Sequence, residues 1–184
     1  MKEKTAAIVT DIQGDFTTAG NGVLAAPGTD EAYLTKVAGA TADLKRYGVA
    51  IYATQDWHPA DHISFAANHP GRMPFETIAI DGRTQVLWPP HCIQGTKGAE
   101  IIIDNGLFEN IVRKGRNPRF DSYSGFQDDG GIETEMNGLL KAGGFTNHET
   151  YRRAKTVVEH GAAELVDAMD AGEVSISAAA VVAK

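Results

Sequence analysis

Thr5-Ala-Ala-Ile-Val-Thr10 is a short apolar run that stops at Asp11, and Val49-Ala-Ile-Tyr-Ala-Thr54 is a second that stops at Gln55-Asp56. Apolar runs of this length, closed by polar residues, read as buried parallel strands feeding polar loops. Between them, Leu34, Val37, Thr41, Leu44 and Tyr47 recur at helical spacing across Asp30 to Tyr47. Thr29 or Asp30 can cap the start of that helix, and Gly48 ends it. Strand, helix, strand at this length is a βαβ unit, whose strands run parallel and whose crossover is right-handed. The fold class that follows is α/β around a parallel sheet.

Outward from this unit the chain alternates loops with shorter elements. Residues 12–29 are glycine-rich loop, and residues 57–98, rich in His, Pro and Gly, read as one long functional loop holding a short strand near Thr77 to Ile80. Ile101 to Phe108 is apolar but of undecided type. Glu109 to Arg113 is strand-like and delivers Lys114 to its end, and Ile132 to Lys141 reads as a helix stopped by Gly143-Gly144. Beyond Asn147 the character changes. Tyr151, Ala154, Val157 and Val158 mark one short helical face, Leu165, Val166 and Met169 a second, and Ser177 can cap a third. The expected division is an α/β domain over residues 1–145 and a helical tail of different origin over 146–184.

The bulk properties narrow the partners. At 184 residues the chain suits one domain with a proper core. A net charge of -7 and a pI near 5.3 argue against a nucleic-acid or anionic-membrane surface. No apolar run approaches the roughly 18 to 20 residues that a membrane helix needs. The N-terminus enters a strand within a few residues, so no signal peptide is expected. A single cysteine fits a reducing compartment. The expectation is a cytoplasmic protein with a small-molecule partner, compatible with a homo-oligomer.

Asp11, Asp56 and Lys114 each stand at the C-terminal end of a parallel strand, where open α/β sheets bind their ligands. Any one of them alone reads as a solvated loop charge; three in register read as a site. Asp56 and His58 are two residues apart, so in extended chain their side chains share a face. A carboxylate and an imidazole so placed, joined by His91 from the later loop, suit one divalent ion: Zn(II), Fe(II) or Mn(II). His62 is either a fourth ligand or a neighbour of the site.

Four blocks carry a resemblance: Asp11-Ile-Gln-Gly-Asp15-Phe16, Gln55-Asp56-Trp57-His58-Pro59-Ala60-Asp61-His62, Trp88-Pro-Pro-His91-Cys92, and Lys114-Gly-Arg-Asn-Pro-Arg-Phe-Asp121-Ser-Tyr-Ser-Gly. In this order they resemble the nicotinamidases and pyrazinamidases, cysteine amidohydrolases of the isochorismatase-like superfamily, over about residues 1–145. The resemblance implies a three-layer fold with a parallel sheet and hydrolysis of nicotinamide to nicotinate and ammonia within NAD salvage. It implies Asp56, His58 and His91 as metal ligands, with the ion toward the pyridine nitrogen. Asp11 would take the proton from the nucleophilic thiol, and Lys114 would hold the thiolate and Asp11 through charge. Phe16 and Trp88 would wall the pocket around the aromatic ring. The block at Asp121 would shape the loop after Lys114.

The family places its nucleophile after a further strand, in a Gly-Leu-Ala-Thr-Asp-Tyr-Cys-Val type segment. Here Gly144-Phe145-Thr146-Asn147 leads into His148-Glu149-Thr150-Tyr151, and no cysteine follows Lys114. Cys92 is a poor substitute: next to a ligand in extended chain, it faces the opposite way. Without the later strands, Ala6 to Thr10 would present an unpaired apolar edge. Two further readings follow, a non-catalytic relic or chimeric fragment that binds metal and pyridine, and a DNA-binding fusion. The second rests on a similarity between the tail and a helical stretch of ParB-type partition proteins. The tail has four basic against six acidic residues from Ala142 onward, and so lacks the basic face that DNA binding needs.

Overall fold

The sheet is built by three parallel strands in the order β1-β2-β5. The structure is a computed structural model and describes residues 5–145. Strand β1 (Ala6–Thr10) pairs with β2 (Ala50–Asp56), Ala6 opposite Ala50 and Thr10 opposite Thr54. On its other side β2 pairs with β5 (Asn110–Lys114), and this register sets Asp56 directly opposite Lys114. Helix α1 (Glu31–Arg46) makes the crossover; the Asp30 carboxylate accepts from the Tyr33 amide at 2.9 Å and caps it. Gly48 takes a φ of 81°, which ends the helix and turns the chain into β2.

The βαβ expectation therefore holds, with differences that have physical causes. Helix α1 buries Leu34 and Thr41, whereas Leu44 in its last turn and Tyr47 at its C-cap are exposed. Strand β2 is the buried one: Ile51 and Ala53 are fully covered and form the core with Phe108. Ile8 in β1 remains 36% exposed. Among the described residues β1 pairs only with β2 and so stands at an edge of the sheet.

One further strand corrects the reading of residues 57–98 as a loop with one strand. Thr77–Ile80 is β3, and Arg83–Val86 is β4, paired antiparallel with Ile80 opposite Arg83. Asp81 and Gly82 between them have φ values of 50° and 75°, the left-handed pair that a two-residue hairpin turn demands. The Asp-Gly dipeptide carried that signal in plain sight. Helix α2 (Glu135–Ala142) begins later than Ile132, because Thr134 caps it by accepting from the Met136 amide. Among the described residues no helix is long and apolar enough to cross a membrane. The expected helical tail, and the DNA-binding reading attached to it, lie outside the described residues.

Candidate active site

The register that faces Asp56 with Lys114 creates the electrostatic centre. Lys114 is 4% exposed, and its ammonium reaches Asp56 Oδ1 at 2.6 Å, Asp11 Oδ2 at 3.0 Å and the Ser122 carbonyl at 2.9 Å. These three acceptors match the three ammonium protons. Burial opposes a charged lysine, but the two carboxylates outweigh it and hold the Lys114 pKa above its ordinary value. Burial raises the Asp11 carboxyl, with the lysine charge only partly offsetting it. Burial also pushes Asp56 upward, yet the adjacent His58 and the lysine charge prevail and bring it down to about 2. Asp56 is thus held toward its charged form, while Asp11 binds a proton more readily than an ordinary carboxylate. Thr54 Oγ1 donates to Asp11 Oδ1 at 2.7 Å and fixes that carboxylate.

Beside this centre, Asp56, His58 and His91 each offer one ligand atom, all within 4.8 Å of one another. The backbone settles which atoms they offer. His58 Nδ1 lies 2.9 Å from the Gly115 carbonyl and His91 Nδ1 lies 2.8 Å from the Pro89 carbonyl. A carbonyl only accepts, so both Nδ1 atoms carry a proton and Nε2 is the atom each ring can turn to an ion. Burial lowers the His91 pKa, which keeps its lone pair unprotonated at neutral pH. Asp56 gives Oδ1 to Lys114 and turns Oδ2 toward His58 Nε2, 3.6 Å away. Two imidazoles and one carboxylate with their outer atoms satisfied fit a divalent transition ion.

His62 does not join them. Its Nδ1 meets Ser64 Oγ at 2.8 Å and its Nε2 meets the Phe120 carbonyl at 3.1 Å, so neither nitrogen is left for an ion. Burial and the adjacent His58 push its pKa down to about 4, the mark of a neutral structural histidine. Cys92 is fully buried; its Sγ faces the Gly98 carbonyl at 3.8 Å, and burial pushes the thiol up. Phe16 packs on the His91 ring at 5.6 Å. Trp88 packs edge-on against Phe75 and donates its indole N–H to the Tyr123 hydroxyl at 3.0 Å.

Several contributors lie outside the sequence reading. Phe65, fully buried, sets its ring 5.5 to 5.7 Å from the rings of His58, His62 and His91 and forms an aromatic floor under all three. Asp15 accepts from the Cys92 amide at 2.7 Å, next to His91. Gln13 bonds the Asp56 backbone. Phe65 gave no signal beyond an apolar residue in a loop. Two cavities of about 500 and 610 Å³ open beside Trp57, Arg113 and Arg116, and neither is lined by Asp11, Asp56, His58 or His91. The candidate site is the acid, lysine and imidazole cluster, whose ligand atoms are spaced for an ion.

No family profile matches the chain. The nicotinamidase of Acinetobacter baylyi is 43% identical over 142 residues, 76% of this chain and 63% of that protein. The nicotinamidase of Saccharomyces cerevisiae is 34% identical over 148 residues, 73% of this chain and 68% of the yeast protein. A solved nicotinamidase/pyrazinamidase of Acinetobacter baumanii superposes with a TM-score of 0.68 at 39% identity, over 77% of this chain and 67% of that one.

The chain belongs to the nicotinamidase family. A pyrazinamidase of Pyrococcus horikoshii, solved in complex with zinc, superposes with a TM-score of 0.60 at 32% identity, over 77% of this chain and 66% of that one. The chain spans 63% of the Acinetobacter baylyi nicotinamidase and 58% of the Escherichia coli one, less than two thirds of each. The fold class expected from the sequence is the one that these nicotinamidases share with it.

Within this nicotinamidase-type site Gly115 has a specific duty. Its φ is 65°, its carbonyl holds His58 Nδ1, and a Cβ there would overlap the His58 ring. Gly115→Ala is expected to weaken divalent-ion binding by roughly ten- to a hundredfold, the usual effect of disturbing an outer-shell partner. Competition against a coloured chelator measures it, and unchanged affinity would show that the His58 ring tolerates displacement.

Proposed function

We propose that this site takes nicotinamide and that hydrolysis to nicotinate and ammonia is the reaction it is built around. The observation that supports this most is the buried Lys114 bridge between Asp11 and Asp56, with two imidazoles oriented beside it. In hydrolysis, water adds across the amide C–N bond: its oxygen stays on the carbonyl carbon and a proton leaves with the nitrogen. Asp11, whose carboxyl burial raises, accepts the proton of the attacking group. Lys114 holds Asp11 and Asp56 in place and compensates their charge. Asp56, His58 and His91 would hold a divalent ion, zinc by analogy with the Pyrococcus horikoshii pyrazinamidase. When bound, the ion would supply Lewis-acid chemistry toward the pyridine nitrogen or a water. Phe16, against His91, and Trp88 supply aromatic surface for the ring.

One observation favours a second reading. Cys92 is the only cysteine in the chain, and its buried thiol points at the Gly98 carbonyl, away from duty as a nucleophile. On that reading the chain binds metal and nicotinamide without turnover. Two measurements on the purified 184-residue chain separate these readings: ammonia release from nicotinamide with zinc, manganese or iron, and a calorimetric titration with nicotinamide. Metal-dependent ammonia release, lost by more than about a hundredfold in Asp11→Ala, supports the hydrolase. Metal-dependent binding without ammonia supports the second reading. Absence of both sinks the nicotinamide assignment.

A further inference from the structure

The ladder between β1 and β2 ends one residue too early for Asp56. The last register pair is Thr10 with Thr54, and the last bond runs from the Asp11 amide to the Thr54 carbonyl at 3.2 Å. Asp11 then adopts a φ of 49° and carries the chain away from β2. On the β5 side, the Lys114 carbonyl is taken by the Trp57 amide at 2.9 Å. Backbone groups alternate sides along a strand, so the Asp56 N–H and C=O face the side that β1 has left. Buried peptide groups without partners are costly.

A side chain fills the gap. Gln13 is fully buried; its Oε1 accepts from the Asp56 amide at 2.7 Å, and its Nε2 donates to the Asp56 carbonyl at 2.9 Å. The same Nε2 donates to the Ala99 carbonyl at 2.8 Å, which also accepts from Gln55 Nε2 at 2.8 Å. A primary amide carries a donor and an acceptor at the spacing of a peptide, so Gln13 extends the ladder by one rung without extending the strand. Of the side chains, only glutamine and asparagine offer both groups, and asparagine is one methylene shorter. Glutamate would lose the donor and set an anion against two carbonyls.

We propose that Gln13 is a positioning residue for the metal site: its amide locks the Asp56 peptide and so aims the Asp56 carboxylate between Lys114 and His58. This rests on the reading of Asp56, His58 and His91 as ion ligands. Gln13 also belongs to the loop that carries Asp11, so one short segment sets both the proton acceptor and the ion-binding carboxylate.

Zinc affinity, measured by chelator competition at pH 7, is compared among the wild-type chain, Gln13→Met and Met136→Ala. Met136 is a fully buried helix residue among neither the ion ligands nor their hydrogen-bond partners, so its truncation reports the effect of lost stability alone. Gln13→Met is expected to bind zinc roughly ten- to a hundredfold more weakly, with a shifted cobalt(II) visible spectrum, while Met136→Ala stays within about threefold. Equal affinities for wild type and Gln13→Met, or an equal loss in both variants, overturn the inference. No zinc binding by the wild type overturns the ion site itself. Should Gln13→Met fail to fold, the wild-type NMR spectrum decides. The Gln13 side-chain amide resonances move with zinc occupancy alongside the Asp56 amide if the coupling exists, and stay still if it does not.

Discussion

Replacing Lys114 with methionine is expected to lower the stability of the metal-free chain by about 3 to 5 kcal/mol at pH 7, the usual cost of removing one partner from a buried ion pair. The methionine keeps the apolar stem, so the loss reports the charge. Without the ammonium, Asp11 and Asp56 face each other across a buried gap, and both carboxyls rise above their unfolded values. A carboxyl raised on folding destabilises above that raised pKa and is relieved as it takes up its proton. The deficit should therefore shrink as pH falls from 7 toward 4. In the wild type Asp56 acts oppositely in acid: held at about 2, it contributes stability above its unfolded value that is lost as pH falls toward 2, while the raised Asp11 carboxyl works in the other direction. Urea unfolding of both proteins in chelator, at pH 7 and pH 4.5, measures this. A deficit independent of pH would mean that the lysine stem, not its charge, holds the centre.

Removing His58 should weaken zinc binding by on the order of a hundredfold or more. A four-ligand structural zinc site is worth about 10 to 16 kcal/mol, so one donor carries about 2.5 to 4, and about 1.4 kcal/mol is a factor of ten. His62→Ala is the informative companion. Its ring lies 4.4 Å from that of His58, close enough for sequence spacing to suggest a ligand, yet both its nitrogens are committed to Ser64 and Phe120. Its loss should cost stability and leave zinc affinity within about tenfold. Comparable losses of affinity in the two variants would return His62 to the ligand set.

Much of this site was legible because its parts sit at the ends of regular elements. Asp11 and Asp56 follow apolar runs that read as strands, Lys114 follows a strand-like segment, and parallel strands bring their ends together. The two-residue step from Asp56 to His58 likewise made a shared face readable. The hairpin after Thr77 was legible too, through Asp81-Gly82, but was read as one strand in a loop. Gln13 and Phe65 were not legible, because nothing local marks a side chain that completes a ladder or lies beneath three imidazoles.

By itself, then, the sequence determined the α/β class, the βαβ unit, the strand ends that carry the charged residues, and the four blocks that carry the resemblance to nicotinamidases. Those features are written in backbone periodicity and in short-range steric rules, which act over a few residues. Only the tertiary structure decided which histidine nitrogens are free and where the thiol points. His58 and His62 lie four residues apart, and carbonyls 57 and 58 residues away separate their roles: that of Gly115 leaves His58 Nε2 open, and that of Phe120 closes His62. A ring nitrogen can hold either a hydrogen bond or a metal ion, and the partner that makes the choice arrives only when distant chain is folded against it.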